Sequence, residues 1–593
     1  MAMNPIETGW NEAVEHCRAA RLQEAAESCA RLLSLDPDHS GAHYLLGCIH
    51  LGSGDAGAAR SYLERAAALN PGSAAVFEAL GAACSALGEH AQAAEAFRRE
   101  AEIAPEEAQA HFRLAITLHT LARLEEAAGS YRRATELQPE MQQAHNNLGL
   151  ALISLGRNDE AAASFRRAVE LQPDDVAALC NLATAQRNLG RIREAEAACR
   201  QAIERSPDHA GAYAILGALL GQEGDDEAAV PALARAYELE RDPQVGYNLG
   251  VALTKLSRPA EAIPYLRRAI EADPSNDLAR FGLSCVLFAV GDWKQAFETY
   301  DEWTQRRTLP LRGFDRPRWR GEPMPGRILL AYTEHGRGDA IQALRFLPIV
   351  AERSQAKVVY EGRPELLSLV ANSPHVHSVV ALDPGLKPPP VEFDAVIDLM
   401  SVGALGCSDP ALLPQPPYIA PPDDRVAAWS ERLSGFRGIR IGLCWAGDPA
   451  NANDRLRSCR LSDLIAAVSR PGVDLFSLQV GPGTDEMQEV PPDVRIVDLP
   501  SLYPFDFCET AAAMMNMDLI VTVDTSTAHL AGALALPCWV LLCRHADGRF
   551  MIEREDLPWY PTMRLFRQVD SGDWSSVVRR IRMEGVSARG RAL

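Results

Sequence analysis

EMQQAHNNLGLALISLGRNDEAAASFRRAVELQP, residues 140–173, reads as two amphipathic helices closed by a proline. A small residue, Gly149, is followed twelve positions later by Ala161 and four further on by the large Phe165, and the unit ends at Pro173. Two antiparallel helices approach closely only where side chains are small, and a larger side chain fills the groove beside them. Proline lacks the amide hydrogen that would continue the second helix. The pattern extends in both directions at a spacing of 34 residues, through Pro37, Pro71, Pro105, Pro139, Pro173 and Pro207. The first small position is held by Ala13, Gly47, Gly81, Ala115, Gly149, Ala183 and Gly217, and the second by Ala25, Ala59, Ala93, Ala127, Ala161, Ala195 and Ala229. Gly250, Ala262, Leu266 and Pro274 form a drifted copy, and Ser284, Ala296 and Tyr300 a last one.

Period, small positions and proline together resemble the tetratricopeptide repeat, over residues 6–308. The resemblance implies an α-solenoid with an extended concave face. Asn147, Asn181 and Asn248 share one position on the first helix of their repeats. Amides spaced along a groove can pair with the backbone of an extended peptide, and the arrangement resembles the asparagine ladder of the eukaryotic O-GlcNAc transferases. Ala79, Arg113 and Ile215 interrupt it. The alternative is that these asparagines only bridge neighbouring helices.

The chain has 593 residues, a net charge of −20, 47% apolar and 23% charged residues. That length exceeds one ordinary core, and the composition is that of a globular protein. The acidic balance argues against a nucleic-acid partner and against adhesion to anionic membrane. The thirteen cysteines form no C-x-x-C pair, which suits a reducing cytoplasm better than disulfides or a zinc site. The N-terminus shows no secretion signal. The most apolar stretch, Leu519 to Cys543, is interrupted by Asp524, Thr525 and His529 and reads as strand–helix–strand, not a membrane span.

After Arg306 the grammar changes. Residues 309–326, rich in Pro, Arg and Gly, read as a linker. Strands are expected at Arg327–Tyr332, Lys357–Glu361, Val376–Leu382 and Phe393–Leu399, with a helix from about Asp339 to Arg353, giving a first α/β domain over 327–411. Residues 412–438 read as a second linker. Ile439–Cys444, Leu475–Leu478, Val494–Asp498, Leu519–Val523 and Trp539–Leu542 give a second parallel sheet within 439–583, with 584–593 as a tail. Two such Rossmann-like halves place a cleft between them, and ligands bind outside the carboxyl ends of strands.

Four segments carry a further resemblance. EHGRGDAIQALRFLP (Glu334–Pro348) and VDTSTAHLAGAL (Val523–Leu534) are similar to the first loop–helix and the donor-binding loop–helix of the lipopolysaccharide heptosyltransferase class. CWAGDPANANDRLRS (Cys444–Ser458) and DLPWYPTMRLFRQ (Asp556–Gln568) fit its tetratricopeptide-linked branch. With the repeats, the chain resembles the bacterial flagellin glycosyltransferases. This implies a GT-B fold, and an inverting transfer of a nonulosonic sugar such as pseudaminic acid from a nucleotide-activated donor to Ser or Thr of flagellin held by the repeats. The nucleotide-sugar is a co-substrate and no cofactor or metal is expected. The one D-x-D pair, Asp36 and Asp38, flanks Pro37 and reads as turn chemistry.

The chemistry is expected at four places. Asp524 ends a strand, and Thr525, Ser526 and Thr527 open a helix whose hydroxyls cap backbone N–H groups and whose dipole forms an anion site for a donor phosphate. His529 faces that site from the first turn; the plainer reading is an ordinary cap with a packed histidine. Arg455 and Arg457 offer guanidinium groups to the phosphate, and Gln479 can meet the nucleotide base. Asp339, after Gly336 and Gly338 whose missing side chains admit a ligand, is by resemblance the general base for the acceptor hydroxyl; the plainer reading is a helix cap. His335, nearby, is a second candidate for contacting substrate. Two other functions fit: a glycosyltransferase of an envelope polysaccharide, or a non-catalytic repeat scaffold or export chaperone.

Overall fold

A computed structural model describes residues 5–334, 336–449, 454–552 and 554–585. The chain divides into two compact units, one ending at Arg241 and one beginning at Asp242.

The first unit is helical from Pro5–Arg18 to Asp226–Leu239, with each helix of 13 or 14 residues packed antiparallel on its neighbour in sequence. The small residues do what their spacing implies. A methyl group on Gly149 would lie 2.6 Å from the Phe165 ring, on Gly81 2.5 Å from Phe97, and on Gly47 2.5 Å from Leu63. Ala161, Phe165, Ala127 and Tyr131 are buried in one continuous apolar cluster. The turn inside each repeat needs a left-handed backbone. Gly156 supplies it at φ +73°, whereas Ala122 is held at +56° at the equivalent position.

The second unit opens with four more helices of the same kind, ending with Trp293–Arg312. Gly250 against Leu266 repeats the close approach. Two parallel sheets follow. The first holds β1 (Ile328–Tyr332), β2 (Lys357–Gly362), β3 (Ser378–Ala381) and β4 (Ala395–Asp398) in the order β3-β2-β1-β4. The second holds β5 (Ile439–Cys444), β6 (Val473–Ser477), β7 (Ile496–Asp498), β8 (Leu519–Val523), β9 (Cys538–Leu542) and β10 (Met563–Arg567) in the order β10-β9-β8-β5-β6-β7. Every pairing is parallel. The second order is that of the doubly wound α/β fold, whose direction reverses between β5 and β8. Both strands are apolar where buried, as a sheet covered on two faces requires.

The structure corrects several boundaries. The last repeat helix runs to Arg312, beyond residue 308. The 309–326 stretch is not a free linker. Arg312 is fully buried and pairs with Glu361 of β2, while the Trp319 amide donates to the Val396 carbonyl of β4 and its indole is fully buried. Proline, glycine and arginine signalled irregular backbone, but not that its side chains face the core. The 412–438 stretch likewise contains a helix, Asp423–Arg432, whose buried Trp429 donates to Glu509 at 2.9 Å. The expected helix from Asp339 to Arg353 is broken into Arg337–Ala343, a short 3-10 turn and Leu347–Ser354. Pro348 lies in the first turn of the last piece, where its missing N–H costs nothing. β10 was not among the expected strands.

Candidate active site

The carboxyl ends of six strands converge on a cleft of about 680 Å³. This is within the range of small-ligand sites, roughly 300–1,000 Å³. Gly336, Gly338 and Asp339 enter from the loop after β1, and Arg363 follows β2. Ala446–Asp448 and Arg457 follow β5, Gln479 follows β6, Asp524–Thr527 and His529 follow β8, and His545, Asp547 and Arg549 follow β9. Open parallel sheets bind ligands at this end and at the point where strand order reverses, here between β5 and β8.

Asp339 sits at the third position of its helix. One carboxylate oxygen accepts from the Gly336 amide at 3.1 Å, so it does cap the helix. The other is ion-paired with Arg549 at 2.5 Å. Arg549 also forms a fork with Asp547, at 2.9 and 2.8 Å, and donates to Gln342 at 3.0 Å. Burial alone would lower the Arg549 pKa, but Asp339 and Asp547 outweigh it and hold the guanidinium charged. Burial would raise Asp547, and the Arg549 charge and hydrogen bonds instead hold it well below the usual carboxylate range. A bidentate guanidinium–carboxylate pair is directional as well as strong.

His529 is buried and packed against that network. Its Nδ1 lies 3.2 Å from the Tyr560 hydroxyl. Burial, reinforced by the Arg549 charge, lowers its pKa to about 4, so the ring is neutral near pH 7. A Cβ on Gly338, the second residue of the helix Arg337–Ala343, would stand 2.6 Å from the imidazole, which is why this position is glycine. Asp524 is pushed up to about 6 by burial and by Asp547, with Arg457 and Arg549 opposing. It is a carboxyl group poised to change charge near neutrality.

The helix Ser526–Ala533 begins at the cleft after Thr525. Contrary to expectation, the Thr525 hydroxyl makes no capping bond. Its backbone is extended and the hydroxyl turns inward, 3.2 Å from Thr522 and 3.4 Å from the Val523 carbonyl. Thr525, Ser526 and Thr527 line the cleft, and of the first-turn amides that of Ala528 donates to the Thr525 carbonyl at 3.0 Å, so the helix opens on the cleft without a side-chain cap.

Gln479 is corrected. Its side chain is buried, its oxygen accepts from the Trp445 and Ala446 amides at 3.0 Å, and its nitrogen donates to the Ala446 and Pro482 carbonyls. It clamps two cleft loops and has no capacity left for a nucleotide base. Of the two arginines, Arg457 lines the cleft and pairs with Asp454 at 3.1 Å, whereas Arg455 is exposed and does not line it. His335 lies outside the described residues. Asn181 donates to Asn146 of the neighbouring repeat at 3.0 Å and so bridges two helices, whereas Asn147 accepts from Asn146, the residue before it on the same helix, at 3.5 Å. Asn248 accepts from Gln244 at 3.2 Å and lies outside the cleft. Arg549, Asp547, Tyr560 and His545 escaped the sequence reading. The signal for His545, Asp547 and Arg549 was HADGRF (545–550), a charged run just after an apolar strand.

Comparison with known proteins places tetratricopeptide repeats at residues 18–84, 85–137, 112–176, 152–220, 210–243 and 247–309. The repeat half is therefore a tetratricopeptide array. The chain is 26% identical over 404 residues to Protein FlbA of Caulobacter vibrioides (strain ATCC 19089 / CIP 103742 / CB 15), covering 62% of this chain and 65% of that one. The chain thus spans just under two thirds of that relative's length. A match over 62% of the chain is longer than the repeats, which end at Arg312, so it extends into the α/β half. Among solved structures, YrrB, described as a TPR protein with an unusual peptide-binding site, is 25% identical. It covers 31% of this chain and 96% of its own, at a TM-score of 0.28. TTC0263, a thermophilic TPR protein of Thermus thermophilus, is 22% identical, with 30% and 99% coverage and a TM-score of 0.26. Among the described residues no helix is long and apolar enough to cross a membrane.

Proposed function

We propose that this chain is a GT-B-type glycosyltransferase. It moves a sugar, of the nonulosonic class by resemblance, from a nucleotide-activated donor to a Ser or Thr hydroxyl of flagellin presented by the repeats. One observation carries the reading. The carboxyl ends of two parallel sheets line a cleft in which a carboxylate, Asp339, stands beside His529, and which also takes in Arg457 and the residues that open the helix Ser526–Ala533. A donor phosphate suits the helix end and the guanidinium.

In the proposed step the acceptor oxygen attacks the anomeric carbon from the face opposite the phosphate. The bond from that carbon to the phosphate oxygen breaks and its electron pair leaves with the nucleotide. The hydroxyl proton passes to Asp339. Arg457 and the helix dipole offset the charge that develops on the leaving phosphate. Arg549 fixes the orientation of Asp339, and the neutral His529 supplies a hydrogen-bonding wall that adds no charge.

A second reading, a polypeptide-binding scaffold without catalysis, is favoured by the same ion pair: Asp339 is already engaged by Arg549 and must share its carboxylate with the incoming hydroxyl. Release of free nucleotide separates the two. The purified chain, incubated with flagellin and CMP-pseudaminic acid, is expected to release CMP in step with flagellin added. No release with any nucleotide-sugar tried, together with retained flagellin binding, favours the scaffold.

A further inference from the structure

A second concavity, of about 370 Å³, lies on the last pair of repeat helices and has no place in the chemistry above. Its floor is apolar and open. Leu278 is 60% exposed, Phe281 41% and Leu311 65%. Leu278 and Phe281 are three residues apart on the helix Asp277–Val290. Trp303, Arg307 and Leu311 follow at intervals of four on the helix Trp293–Arg312. These spacings put each set on one face of its helix. The Phe281 and Trp303 rings stand 5.0 Å apart. Water-exposed apolar surface is unfavourable at roughly 25 cal/mol per Å², and contiguous patches of this kind mark interaction sites.

Two features say what covers it. Arg307 and Glu334 stand among the lining residues, so the groove carries one hydrogen-bond donor group and one acceptor group beside an apolar floor. That is the chemistry of an extended polypeptide anchored by a large apolar side chain, with backbone C=O and N–H groups on either side. A lipid chain offers nothing to the two charges. The groove also neighbours the candidate site along the chain: Glu334 lines the groove, and Asp339, five residues on, lines the cleft. At 3.3–3.6 Å per residue, five residues span at most about 18 Å.

The geometry points to an acceptor-anchoring site, in which the groove takes an apolar side chain of the acceptor polypeptide within about five residues of the hydroxyl presented to Asp339. This rests on the transfer reading for what reaches the cleft, but not for what fills the groove. It adds a sequence rule, since Ser and Thr residues with no large apolar neighbour in the extended acceptor are passed over. A single anchor raises the local concentration of the hydroxyl without demanding tight contacts in the cleft.

The test uses the full chain carrying Leu311→p-benzoylphenylalanine, irradiated with purified flagellin. A covalent adduct is expected, mapping to a peptide with a large apolar residue beside a Ser or Thr. Adding Leu278→Glu, at a position already solvated, is expected to cut the adduct at least fivefold. In the otherwise native chain, Leu278→Glu is expected to raise the flagellin KM at least tenfold without changing the melting temperature. Transfer at native KM by Leu278→Glu, with no adduct from position 311, overturns the groove and leaves the transfer reading standing. An adduct sensitive to Leu278→Glu, from a chain that transfers no sugar, upholds the groove and overturns the transfer reading. Neither adduct nor transfer overturns both.

Discussion

Arg549, seven residues past the end of β9, is ion-paired with Asp339, seven residues past the end of β1. The two residues come from different sheets, and their pairing draws the loop after β9 onto the helix after β1. Arg549 also binds Asp547 and Gln342, so one guanidinium organises three side chains.

Arg549→Met should therefore act on both stability and activity. It leaves Asp339 and Asp547 facing each other without their cation. Loss of a charged hydrogen-bond partner costs about 1–3 kcal/mol, read as a lower melting temperature. Transfer should fall as Asp339 loses its orientation. Arg549→Lys keeps the charge but not the fork, and should recover stability better than rate.

Gly338→Ala should close the cleft from within. The new methyl group would stand 2.6 Å from the His529 ring, and either the helix Arg337–Ala343 or the imidazole must move. Nucleotide binding, measured by calorimetry, should weaken at least tenfold. The double variant Gly338→Ala, His529→Ala removes the clash and should bind better than Gly338→Ala alone. Equal losses in the two would place the defect elsewhere.

The pH dependence follows from Asp524 and His529. Asp524, raised to about 6, is neutral below that pH and anionic above it. CMP affinity should fall severalfold between pH 5.5 and 7.5, and Asp524→Asn should flatten the part of the profile that does not come from the phosphate itself. In folding, Asp524 keeps a proton between about pH 3.8 and 6 that the unfolded chain has lost. Its contribution to stability therefore falls as pH rises through that window. His529, lowered to about 4 from 6.5, has the opposite sign. Its neutral form is favoured in the folded state, so stability is lost as pH drops from 6.5 toward 4. Chemical denaturation of His529→Asn across this range should lack the second effect.

The repeat half was legible because one physical constraint recurs. Each close approach, Gly149 on Phe165 or Gly81 on Phe97, writes the same small–large spacing into the chain. The cleft was partly legible for a similar reason, since Asp339, Asp524 and His529 follow apolar strands. Gln479 was misread because nothing in SLQ tells whether an amide faces a ligand or two backbone loops; that depends on Trp445 and Ala446, more than thirty residues away. Arg455 and Arg457 stood level in sequence, and only the short helix Asp454–Arg457 turns one inward. The buried Arg312 and Trp319 were hidden by composition that elsewhere means solvent.

Gln479→Leu should be costly although it removes no ligand contact. The Trp445 and Ala446 amides and the Ala446 carbonyl would lose their partner beside a buried side chain, while the exposed Pro482 can turn to water. Each unsatisfied buried group costs about 1–3 kcal/mol. The melting transition should drop by several degrees, and nucleotide binding should weaken because the Ala446–Asp448 loop is released. Phe165→Ala in the repeats should cost about 3–5 kcal/mol by leaving a cavity beside Gly149, with nucleotide binding to the cleft unchanged.

The most direct test of the account is the intact mass of flagellin co-expressed with this chain and a pathway that makes the activated sugar. The native chain should add one or more increments of a nonulosonic sugar. Asp339→Asn should lower their yield by roughly 10²–10⁴-fold, the share of a general base, while flagellin still co-purifies. Flagellin of unmodified mass in every combination, or increments undiminished by Asp339→Asn, would contradict it.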